Sequence, residues 1–176
     1  MNNSFKVNAL GAADVFTHTA ADTQGGYAEM LAVLPRCSEE EVLHRHPLQT
    51  VKLEAIDGKL GIMLPDRRLI IKPGQSYEIP RDTVHAFYNA DEKEITFRGT
   101  LEPALHTEWL SREMKAMAKR KKSKIMSMLE ESYILSQIKG EYYRSGLPVA
   151  IQKVAHSFLA GIGKFLGIDK RISPVQ

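Results

Sequence analysis

The sequence predicts an all-β sandwich or barrel over its first two thirds, followed by an all-α tail. Two observations carry that division. Before Trp109, seven to nine short stretches rich in β-branched and aromatic residues alternate with turn residues, and after it the hydrophobic period moves from two towards four. Charge divides the same way: residues 1–111 carry 11 basic and 16 acidic side chains and residues 112–176 carry 13 and five, so the formal +3 of the 176-residue chain splits into −5 and +8. At this length the expectation is one domain, residues 1–106, with a helical extension, residues 107–176.

The strands follow in order. In Tyr27 to Leu34, Ala28, Met30, Ala32 and Leu34 share one face, and Pro35 ends the run. From Thr50, apolar Val51, Leu53 and Ala55 alternate with polar Thr50, Lys52 and Glu54, so one face packs inward. Asp57-Gly58 turns the chain. Leu60 to Leu64 and Arg68 to Lys72 flank the turn Pro65-Asp66, and Pro73-Gly74 is the next turn. Ser76 to Ile79, Val84 to Tyr88 and Glu94 to Leu101 complete the series. Such spacing belongs to an antiparallel sandwich or barrel, not a parallel sheet.

The first helix is expected near Thr107, whose hydroxyl is placed to cap it, and carries Trp109, Leu110, Met114 and Met117. The basic run from Lys119 to Lys124 interrupts its apolar stripe; it has no interleaved aromatics for base stacking, so a solvated helix face is expected and not a nucleic-acid site. Ile125, Leu129 and Tyr133, with Ile134 and Ile138, mark a second helix ending at a Gly140 cap. A third runs from Pro148 to about Gly167, with Ile151, Val154, Phe158, Ile162, Phe165 and Leu166 in one stripe and Gln152, Lys153, Ser157 and Lys164 off it. Something must cover that stripe. Packing on the β-part or across a homodimer is the first expectation, and association with a membrane surface the lesser one.

Several classes are excluded. With Cys37 alone there is no internal disulfide and no Cys-based zinc cage; Cys37 reads as structural, and a reducing, cytoplasmic setting is expected. The first residues have no signal-peptide pattern, and no apolar run approaches the roughly 20 residues that span a bilayer. Gly25-Gly26 and Gly161-x-Gly163 lack the Lys-Ser/Thr and strand-turn-helix setting of a phosphate loop, and there is no nucleophile elbow.

His44 and His46 lie two apart, which puts both imidazoles on one face of an extended segment, and His85 follows Gly74, Pro80 and Asp82. Here the chain resembles the cupin family, whose motifs read G-x5-H-x-H-x3-4-E-x6-G and G-x5-P-x-G-x2-H-x3-N. Gly74, Pro80, His85 and Asn89 sit at the spacing of the second motif, with Asp82 at its later glycine. His44, His46 and Gly58 match the first, with Ser38 at its opening glycine and Val51 at its glutamate. The resemblance spans about residues 25 to 105 and is similar to compact bacterial cupins with a helical extension.

The resemblance implies a small antiparallel jelly-roll barrel whose mouth holds a ligand or metal between the motifs. It also implies that His44, His46 and His85 hold a divalent ion such as Zn, Ni, Fe or Mn. Three neutral imidazoles can do so without the carboxylate. The other reading is a degenerate pocket in which the histidines are hydrogen-bonded without metal, because Val51 cannot supply charge or act as base. Glu54 lies on the opposite face and Gln49 is a weak neutral ligand. By strand parity Val51, Phe87 and Asn89 are pocket candidates, and Tyr77 adds a hydroxyl. His18 and His106 read as surface residues. The expected function is small-molecule binding; the alternative is a metal-dependent dioxygenase or isomerase acting on a small oxygenated substrate.

Overall fold

A computed structural model of the chain describes residues 15–36, 42–120, 123–138 and 140–175. Cys37, Ser38, Lys121 and Lys122, to which the sequence reading gave roles, lie outside them. Two antiparallel sheets share one core. The larger runs β1 (Val15–His18), β2 (Ala28–Leu34), β9 (Ile95–Glu102), β4 (Thr50–Asp57), β7 (Ser76–Ile79), and the smaller runs β6 (Arg68–Ile71), β5 (Leu60–Met63), β8 (Ala86–Asn89). Met30, Leu34, Leu53, Ile79, Ile95 and Phe97 from the first meet Leu60, Ile62, Ile71 and Phe87 from the second. This is the expected jelly-roll arrangement, and period-two burial along β2, β4 and β9 is its cause: one face of each strand is apolar, and facing sheets bury it.

Register decides which side chains reach the site. Strand β9 places Gly99 opposite both Met30 and Leu53, and Leu101 opposite both Ala28 and Val51. An added Cβ at Gly99 would lie 3.3 Å from Met30 Cε, so the missing side chain makes room for Met30 in the inner row. Gly58 and Asp82 both occupy left-handed backbone, at φ 80 and 58. A Cβ on Gly58 would stand 2.3 Å from Ile95 Cγ2, so only glycine fits. Asp82, where the motif has glycine, is a residue type that tolerates this conformation. Its amide donates to the His46 carbonyl at 2.9 Å, so the turn anchors the histidine segment.

Two elements escaped the sequence reading. One is β1; the other is a two-stranded ladder of β3 (His44–Arg45) and β10 (Tyr143–Arg144), which pairs Arg144 with His44 and Tyr143 with Arg45. Through it the helical extension is stitched to the histidine-bearing strand, far away in sequence.

The helices are α1 (Thr107–Lys119), α2 (Lys124–Gln137) and α3 (Val149–Phe165), with a 3-10 turn at Asp169–Arg171. Trp109, Met114, Met117, Leu129, Ile134 and Ile138 form a second core. Three expectations change. Thr107 is not the cap of α1: His106 takes that position without a side-chain cap bond, and the Thr107 hydroxyl instead donates to the Ala104 carbonyl at 2.7 Å. The expected basic helix face is divided between two helices: Lys119 ends α1 and Lys124 opens α2, both exposed, while Arg120 pairs with the buried Glu130. Nor does the apolar stripe of α3 pack on the β-part. The helix meets α2 through small residues, Ala160 and Gly163, where a Cβ would lie 3.5 Å from the Leu129 carbonyl, and buries Gln152. That close approach turns Val154, Phe158 and Phe165 outward, 72%, 69% and 90% exposed. Among the described residues no helix is long and apolar enough to cross a membrane.

Candidate metal centre

The three motif histidines converge. His44 opens β3, His46 follows it, and His85 precedes β8 and bridges His44 with backbone bonds of 2.9 and 2.8 Å. Each offers a ring nitrogen, the three lying within 4.8 Å of one another. Zinc–nitrogen bonds of about 2.0–2.1 Å in a tetrahedral site place ligand nitrogens about 3.4 Å apart, so small side-chain adjustments close the set.

Hydrogen bonds at Nδ1 fix the rings. Nδ1 of His44 lies 2.8 Å from the Val42 carbonyl and Nδ1 of His85 lies 2.8 Å from the Thr83 carbonyl. A carbonyl only accepts, so both Nδ1 atoms carry the proton and both Nε2 lone pairs are free to ligate. His46 is oriented by Gln49. The Gln49 amide nitrogen donates to Pro103 O at 2.9 Å, Ala104 O at 3.2 Å and Thr107 Oγ1 at 2.8 Å, which leaves its oxygen facing His46 Nδ1 at 3.2 Å. Gln49 is thus neither a ligand nor a bystander: it sets the tautomer of His46.

The surrounding cavity of about 70 Å³ is lined by Met30, Val51, Leu53, Phe87 and Leu101 from the sheets and by Leu110, Glu141 and Tyr142 from the extension. Tyr142 stacks on His44 with ring centroids 5.0 Å apart. Of the sequence candidates, Val51 and Phe87 line this cavity; Asn89 and Tyr77 do not. The Asn89 amide donates to Leu34 O, Pro35 O and Lys93 O at 3.2, 3.0 and 2.8 Å, so it ties strand ends together. Tyr77 packs on the core with its hydroxyl accepting from Arg67 at 3.2 Å, on the surface. His18 is an exposed partner of Glu29, while His106 is half-buried and donates from Nδ1 to Glu141 Oε1 at 2.5 Å. Gln49 was weighed only as a weak ligand and its orienting role was missed, as were Glu141 and Tyr142. Gln49 stands three residues after His46, which is a local signal; the other two lie in the tail, and nothing local in the sequence ties them to the histidines.

Burial, first of all, holds all three imidazoles neutral. It drives His44 well below its ordinary range, helped by the charges His85 and His46 would carry; it drives His46 to about 3, against the hydrogen bonds His46 donates to the Gln49 oxygen and the Glu141 backbone; and it lowers His85 against the bond it donates to Thr83. In the unfolded chain the same groups titrate near pH 6.5. Below that pH the unfolded state takes up protons the folded state refuses, so the contribution of these groups is whole above 6.5 and declines as pH falls. Each histidine adds up to about 1.4 kcal/mol per pH unit to the slope. Urea midpoints of metal-free protein between about pH 7.5 and 4.5 are expected to fall, less steeply in His85→Gln. Equal slopes in the two proteins would contradict the reading.

No family model matches the chain, and no curated protein matches it. Solved structures do. A cupin-2 domain containing protein from Shewanella frigidimarina NCIMB 400 is 23% identical, with 44% of this chain and 71% of that one covered at a TM-score of 0.39. A cupin-like protein from Thermotoga maritima MSB8 is 19% identical, with 58% and 82% covered at 0.47. The cupin-2 domain of an XRE family transcriptional regulator from Enterobacter cloacae is 16% identical, with 51% and 94% covered at 0.44. At these identities and scores the likeness says nothing of a ligand.

Proposed function

We propose that this cupin-like chain binds a small, largely apolar ligand at a divalent ion held by His44, His46 and His85. The supporting observation is the set of Nδ1 partners. Val42 and Thr83 leave His44 and His85 with Nε2 lone pairs, Gln49 orients His46, and ring nitrogens of the three neutral imidazoles lie within 4.8 Å of one another, a donor set that suits a metal of borderline softness such as zinc. Val51, buried and apolar where the motif has glutamate, leaves the donor set without a carboxylate, and three neutral imidazoles suffice for such an ion. When bound, the ion supplies a Lewis acid with an open position for one donor atom of the ligand. The chain does the rest: Val51, Leu53, Phe87 and Leu101 exclude water, and the cavity of about 70 Å³, against about 300 Å³ or more for drug-sized ligands, restricts the ligand to a few heavy atoms.

One observation favours catalysis as the second reading. Glu141, a buried acidic residue of the extension, lines the same cavity, with both carboxylate oxygens engaged by His106, and is the residue a general acid or base would be drawn from. The two readings separate on turnover, not on metal content. Protein purified after metal-replete growth is expected to carry close to one equivalent of divalent ion by elemental analysis. Less than about a tenth of an equivalent, with no uptake on adding zinc or iron, would sink both readings.

A further inference from the structure

We infer that the exposed face of α3 is the dimer interface of this protein, pairing antiparallel with the same helix of a second copy. The face is continuous. Leu147, Ile151, Val154, Phe158 and Phe165 lie along it, from 54% to 90% exposed, and Ala150, Ile151, Val154, Ala155 and Phe158 line a shallow apolar groove. With a fully exposed large apolar side chain worth roughly 150 Å², the exposed fractions of these residues together with Ile162 and Leu166 amount to on the order of 700 Å² of apolar surface. Ordinary monomers show about 300–600 Å² in their largest patch, while a stable interface takes about 800 Å² from each partner. The face therefore supplies most of one half of a standard interface and exceeds what a lone chain usually leaves to water.

Spacing selects another helix as the occupant. Ile151, Val154, Phe158, Gly161 and Phe165 step by three, four, three and four, the alternation of a coiled-coil seam, and Leu147, just before the helix, extends the same face. Read antiparallel, every seam position finds a complement: Phe158 of each copy against Val154 of the other, Phe165 against Leu147, and Ile151 over Gly161. A Cβ on Gly161 would meet nothing within 4 Å, so a notch is open there for a large side chain. The pairing is isologous and closes at two copies.

Charge selects the direction. Between residues 145 and 168 the chain has Lys153 and Lys164 and no acidic residue. A parallel pair would set each lysine level with its twin. The antiparallel register sets Lys153 level with Leu159 and Lys164 level with Pro148, and it opposes the helix dipoles.

Light scattering at about 100 µM full-length protein is expected to give twice the 19.8 kDa of the chain. Phe158→Glu and Val154→Glu should weaken self-association about 100-fold with unchanged circular dichroism, since both positions are exposed in the single chain. In a Cys37→Ser background, mixing Val154→Cys with Phe158→Cys protein should give faster disulfide cross-linking than either alone. A dimer indifferent to both glutamates overturns the interface, and faster cross-linking within either single variant overturns the antiparallel register. A wild-type monomer that floats with vesicles of phosphatidylglycerol and phosphatidylcholine assigns the face to lipid and overturns the proposal.

Discussion

His44→Ala is expected to lower zinc affinity by about a thousandfold or more, and Gln49→Leu by about 10- to 100-fold. The first change removes one of three donors, and two imidazoles alone seldom retain a divalent ion against water. The second leaves all donors in place but loosens the His46 ring, whose Nδ1 faces the Gln49 oxygen at 3.2 Å. Competition titration with a chromophoric chelator measures both. The series also tests the two histories of the site. A degenerate pocket predicts no affinity in wild type and a gain on Val51→Glu; a working three-histidine site predicts the graded loss. If Gln49→Leu matches wild type, its orienting role is wrong even where metal binding stands. Because Gln49 also holds Pro103, Ala104 and Thr107, thermal melts must accompany the titration.

Arg144→Ala is expected to cost about 2–4 kcal/mol of stability and to weaken the site as well. Arg144 lies opposite His44 in the β3–β10 ladder, and its guanidinium pairs with Glu131 at 2.5 Å. Burial already pushes the Glu131 carboxyl up, and the Arg144 charge is what opposes that. Removing the arginine strands a buried carboxylate, which escapes only by taking a proton, so the loss should shrink as pH falls. Arg144 is 22% exposed, which keeps the effect in the lower part of the range for buried pairs. Denaturant titration of Arg144→Ala beside Arg144→Ala/Glu131→Leu is decisive. Recovery of most of the loss in the double variant identifies the stranded charge; equal losses would place the effect in packing.

The connection between the two predictions is the ladder itself. The extension delivers Tyr142 onto His44 and the Glu141 backbone onto His46, and both residues line the cavity. A boundary at residue 106 marks where strands give way to helices, yet the site is built from both sides of it.

Sequence alone determined seven of the strands between Tyr27 and Leu101, their inward faces, the histidine triad and the absence of a carboxylate at Val51. Those properties are local: period-two alternation follows from strand geometry, turns from glycine, proline and aspartate chemistry, and the triad from the spacing of two short motifs. Asp82 shows how far that reaches, because a departure from the motif still meets the backbone demand at φ 58. Tertiary structure decided what surrounds the triad. Asn89 and Tyr77 have the right parity but sit at strand ends and on the surface, because parity names a face and not a depth along it. Glu141 and Tyr142 reach the site through the pairing of Arg144 with His44, a contact across about a hundred residues that leaves no periodic trace. The stripe on α3 was legible as a stripe; its direction was not. Small residues at Ala160 and Gly163 let α2 approach the opposite face more closely than phenylalanine would allow, and packing density turned the large side chains outward.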